Sequence, residues 1–65
     1  MDKSIDEIIA CMRAIRDIVE KDKTKEREYF FQYRDLQESL HKVDPLNSEC
    51  NIGIHGLPYF AGFKD

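Results

Sequence analysis

The sequence predicts an all-α protein, a two-helix hairpin with an irregular C-terminal tail, and three observations lead there. All three glycines and both prolines lie at or beyond Pro45, so residues 1–43 form one stretch without a helix breaker. Within that stretch, apolar residues recur at alternating spacings of three and four, the period of a helix that buries one face. Residues 44–65 are aromatic and too rich in glycine for a helix. The chain therefore divides into a helical unit over 1–43 and a tail over 44–65, which is expected to pack on those helices or on a partner.

The first helix has a clear start. Ser4, with Glu7 three residues later, makes a capping box in which hydroxyl and carboxylate satisfy otherwise orphaned backbone N–H groups. From Ile5 the apolar stripe runs through Ile8, Met12, Ile15 and Val19, widened by Ile9, Cys11 and Ile18. A second stripe of the same spacing runs through Tyr29, Tyr33, Leu36, Leu40 and Val43, widened by Phe30.

Continuing the spacing from Val19 puts Asp22 and Glu26 at seam positions, after which Tyr29 falls back into register. Two architectures are compatible with this. One is a hairpin turning near Asp22-Lys23-Thr24, with Asp22 or Thr24 as the cap of the second helix. The other is a single interrupted coiled-coil helix of about 39 residues that self-associates through two separated seams. The hairpin is favoured because it buries both stripes within one chain. Either way the helices make only one layer, so Ile5, Ile8, Met12, Ile15, Val19, Tyr29, Tyr33, Leu36 and Leu40 are expected to form the seam of an oligomer, most simply a homodimer.

In the tail, Asp44 followed by Pro45 reads as an N-cap and first helical position, predicting one short turn through about Cys50. The segment from Ile52 to Phe63 is apolar, aromatic and punctuated by glycine, and gains by lying across a folded surface. Phe31 breaks the helical pattern, because it falls opposite the seam among Arg27, Glu28, Arg34 and Asp35. Phe31, Leu57, Tyr59, Phe60 and Phe63 are thus the expected partner-binding residues, or a lid that covers Phe31.

Thirteen acidic and ten basic residues leave a net charge of −3, and no segment is strongly one-signed. No basic face is present to displace counterions from phosphates, so direct nucleic-acid binding is not expected. Charges interrupt the apolar residues too often for a signal peptide or a membrane span, and two cysteines 39 positions apart read as free thiols of a cytoplasmic protein. Cys50, placed in a loop, is expected to tolerate replacement.

Catalytic chemistry finds no support, because no nucleophile, base and orienting group fall together and a chain of 65 residues has little wall with which to enclose a substrate. No cofactor is expected. The functional expectation is a non-catalytic interaction module, a small oligomeric adaptor, regulator or inhibitor of a larger protein. The alternative from another class is a zinc-dependent nucleic-acid or regulatory module using Cys50, His55 and His41, although these lack the close ligand pair of most zinc sites.

Overall fold

Asp22 ends the first helix and starts the turn that makes the hairpin. The structure is a computed structural model that describes residues 4–62. Helix α1 spans Ile5–Lys21, and Ser4 caps it by accepting the Glu7 N–H at 3.2 Å. At its other end the Asp22 N–H donates to the Ile18 carbonyl at 3.0 Å, and Asp22 itself leaves the helix in an extended conformation. Its carboxylate accepts from the Thr24 N–H at 3.1 Å and from the Thr24 hydroxyl at 2.6 Å, bonds that hold its pKa below the ordinary carboxylate range. They also shape a 3-10 turn over Lys23–Lys25 that runs directly into helix α2, Glu26–Val43.

A side-chain cap thus replaces the glycine or proline that a turn usually shows in sequence. The single long helix does not form: Asp22 belongs to the turn and Glu26 opens α2. Asp17–Lys21 and Lys25–Glu28 ion pairs dress the exposed surface of the turn region.

The two stripes meet inside one chain. Ile8, Met12, Ile15 and Val19 of α1 are buried with Tyr33, Leu36 and Leu40 of α2, and Cys50, Ile54 and Phe60 of the tail belong to the same core. Ile8, Met12, Ile15, Val19, Tyr33, Leu36 and Leu40, expected at an oligomer seam, are thus enclosed within their own chain. Ile5, at 38% exposed, sits at the open edge, Tyr29 is half-buried and Val43 is exposed. The boundary at Asp44-Pro45 marks a change of local structure while the core runs across it.

The tail supplies the layer that a hairpin lacks. Its first turn, Ser48–Asn51, is capped by Asn47, whose side chain accepts from the Glu49 N–H at 2.9 Å. Asp44 instead ends α2, its N–H donating to the Leu40 carbonyl at 2.7 Å, so the expected N-cap lies three residues too early. Cys50 is fully buried on this turn and its thiol donates to the Asp44 carbonyl at 3.5 Å, so it does not occupy the open loop position expected.

A tight turn then joins Ile54 to Leu57, with Gly56 at φ +81°, before a last 3-10 turn over Pro58–Phe60. Gly53 and Gly62 have a different reason to be glycine: a Cβ on the first would strike the Phe60 carbonyl, and on the second the Asn51 backbone. The tail packs against itself as well as on the helices. Among the described residues no helix is long and apolar enough to cross a membrane.

Candidate functional site

Helix α2 presents two adjacent phenylalanines in different directions, and the tail meets only one of them. Phe30 is half-buried, its ring edge-on to Tyr59 at a centroid distance of 5.5 Å and to Phe60 at 5.9 Å. Phe31, one residue and about 100° further round the helix, touches Phe30 at 5.0 Å and is otherwise left outside, 77% exposed. Tyr59 is 64% exposed. Together with Glu26 and Arg27 these rings line a groove of about 370 Å³.

The five residues expected to bind a partner therefore separate. Phe31 and Tyr59 form one exposed aromatic patch over Phe30. Phe60 faces inward, fully buried, with its ring 5.5 Å from Tyr33, so it closes the core and is corrected from a partner-binding to an internal position. Leu57 is half-buried and packs against the core, and Phe63 lies outside the described residues. Neighbouring residues of one turn thus differ, Phe60 closing the core and Tyr59 standing exposed.

Sequence reasoning missed a polar assembly under the tail. Glu49 is buried, and its carboxylate accepts from Arg16 at 2.9 Å and Arg13 at 3.1 Å, both on α1. Arg16 also donates to the Tyr33 hydroxyl at 3.1 Å, and that hydroxyl donates to the Ile52 carbonyl at 2.7 Å. Gln37, fully buried on α2, donates to the carbonyls of Cys50 and Ile52 and accepts from Arg34, which reaches on to the Ala61 carbonyl at 2.7 Å.

The electrostatics of this assembly keep it charged. Burial pushes the Glu49 carboxyl up, but the hydrogen bonds from Arg16 and Arg13 outweigh it and hold its pKa below the ordinary range. Burial likewise opposes the Arg16 cation, and bonds to Tyr33 and Glu49 more than restore it. For Tyr33 burial dominates, raising its pKa against the opposing pull of Arg16. Among the described residues every buried side-chain nitrogen and oxygen has a hydrogen-bond partner. The assembly is a latch between tail and hairpin, with its polar atoms engaged internally. Its traces in sequence are the Arg13/Arg16 pair beside the α1 stripe and Gln37, four residues after Tyr33 and three before Leu40, the spacing of a stripe position.

The residues of the zinc alternative are not brought together. Cys50 is inside the core, His55 is exposed on the Ile54–Leu57 turn, and His41 is half-buried near the end of α2. Among the described residues no group of three or more His, Cys, Asp or Glu side chains is arranged to hold a metal ion. Both cysteines are free thiols. No family model, curated protein or solved structure matches this chain.

Proposed function

We propose that this protein is a non-catalytic protein–protein interaction module, an adaptor, regulator or inhibitor that engages another protein chain through Phe31 and Tyr59. The carrying observation is the position of Phe31: a large ring, 77% exposed, beside a groove walled by two further rings. Aromatic anchors next to apolar depressions are the recurring centres of binding energy in protein interfaces. Each such ring left in water forgoes roughly 1.5–3 kcal/mol of burial. A fold that buries Phe60 and leaves Tyr59 outside has the means to cover its aromatics and does not cover these.

The polar chemistry supports the same reading. Glu49, Tyr33, Gln37, Arg13 and Arg16 hold the tail to the helices, and the groove offers one carboxylate, one guanidinium and three rings. A cytoplasmic setting belongs to the proposal and is supported by the two free thiols.

The test is affinity capture from the native host with the wild-type chain and with a Phe31→Ser/Tyr59→Ser chain of matched melting temperature. A protein chain held by the wild type and lost from the variant, whether another protein or a further copy of this one, is the expected result. Identical capture by both would overturn the proposal. Truncation after Asp44 is unsuitable, because it removes Cys50, Ile54 and Phe60 from the core.

A further inference from the structure

The outer face of α2 is divided along its length by Phe31. At about 100° per residue, Arg27 and Arg34 fall some 40–60° to one side of Phe31, and Glu28 and Asp35 fall by the same amounts to the other. Arg27, Glu28 and Asp35 are exposed, Glu28 pairing with Lys25 of its own chain at 3.6 Å, and Arg34 is half-buried, with one amino group bonded to Gln37 and to Ala61. Around Phe31 the helix thus carries two arginines on one flank and two acids on the other, while further along exposed Glu38 lies about 20° to the arginine side and exposed Lys42 about 20° to the acid side. Glu26, Arg27, Phe30, Phe31 and Tyr59 line the groove.

From this arrangement we infer that the occupant of the patch is a second copy of this chain, packed with its α2 parallel to the first about a two-fold axis along the helices. The inference rests on the interaction reading above and names its partner. The argument is charge complementarity. A two-fold axis parallel to the helices sets the basic flank of one copy against the acidic flank of the other. Arg27 then faces Glu28 of the second copy, and Arg34 faces its Asp35, each pair separated by about 1.5 Å along the axis. Symmetry repeats both pairs, and the two Phe31 rings meet at the centre.

The antiparallel arrangement has the opposite consequence. Its two-fold axis lies across the helices, which sets Arg27 against Arg34 and Glu28 against Asp35, like charge on like. Charge patterning along helix flanks is the same device that sets orientation in coiled coils. Here it selects the parallel pair. Of the patch only Phe31 lies on the axis, with Tyr59 at its margin, and exposed ion pairs complete a small, polar interface, so the association is weak and reversible. The buried stripe residues take no part in it.

Sedimentation velocity on the full chain up to about 1 mM tests the inference. The wild type is expected to dimerise reversibly. Arg27→Glu and Glu28→Arg are expected to weaken self-association about tenfold or more each, with helical circular dichroism unchanged. An equimolar mixture of the two variants should recover wild-type association. In the mixed pair the carboxylate introduced by Arg27→Glu meets the guanidinium introduced by Glu28→Arg, and the retained Glu28 of the first variant meets the retained Arg27 of the second.

Dimerisation strengthened by Arg27→Glu would overturn the inference in favour of the antiparallel arrangement. A dimer indifferent to both changes, or variants that fail to recover on mixing, would overturn it in favour of another face. A monomer throughout the range overturns it outright. Were Phe31-dependent capture of a different protein to persist in that last case, the interaction reading would stand with a different occupant.

Discussion

Arg16 of the first helix donates to Glu49 of the tail at 2.9 Å, closing a loop of 33 residues with a charge-assisted hydrogen bond. This contact joins the helical block to the segment that completes its core. Arg13 adds a second bond to the same carboxylate, but Arg13 is largely exposed while Arg16 is largely covered, so the Arg16 bond carries more of the energy.

Glu49→Gln is expected to lower the unfolding free energy by about 2 kcal/mol, because it leaves the covered Arg16 cation without its counter-charge. Urea denaturation checks this. For a domain of this size the loss corresponds to roughly 10 °C in melting temperature.

The same carboxyl makes stability depend on acid. Its folded pKa lies below its unfolded value, so its contribution is complete above the unfolded glutamate pKa of about 4.3 and fades as pH falls through the folded value. Melting temperatures of wild type and Glu49→Gln, recorded from neutral pH downward, should begin to draw together below about pH 4.3 and meet only below the folded value. Parallel curves across that range would mean that Glu49 has no special role.

Much of the hairpin was legible in the sequence, and the reasons lie in particular residues. Ser4 and Glu7 announce the start of α1, and the buried positions Ile8, Met12, Ile15, Val19, Tyr33, Leu36 and Leu40 follow helical spacing. The turn was less legible, because its cap is an aspartate binding a threonine two residues on, with no glycine or proline to mark it. Periodicity also cannot say what covers a stripe. The tail has no period, and its inward residues Cys50, Ile54 and Phe60 are placed by turns and by glycine contacts between distant backbone segments. Glu49 stayed hidden for the same reason, since its partners lie more than thirty residues away.

Cys50→Ser is expected to cost about 1–2 kcal/mol, because it shrinks a fully enclosed side chain and puts a hydroxyl in its place. Thermal melting under reducing conditions reads this directly. A neutral outcome would place Cys50 in a loop after all.

Gly62→Ala should destabilise by about 2 kcal/mol, since its Cβ would overlap the Asn51 backbone and one tail segment must move. Gly56→Ala is expected to cost nearer 1 kcal/mol, through its left-handed φ alone, because open space surrounds that position. Chemical denaturation of both variants gives the order, and a larger loss at Gly56 would contradict the crossing of the tail over itself.

The central claim is that the tail buries Phe60 in its own core and leaves the adjacent Tyr59 exposed, and adjacent substitutions test it most directly. Urea unfolding of Phe60→Ala and Tyr59→Ala should differ sharply. Phe60→Ala is expected to lose about 3–5 kcal/mol, enough to leave much of so small a domain unfolded at room temperature. Tyr59→Ala should stay within about 0.5 kcal/mol of wild type. Equal losses, or a larger loss at Tyr59, would contradict the account.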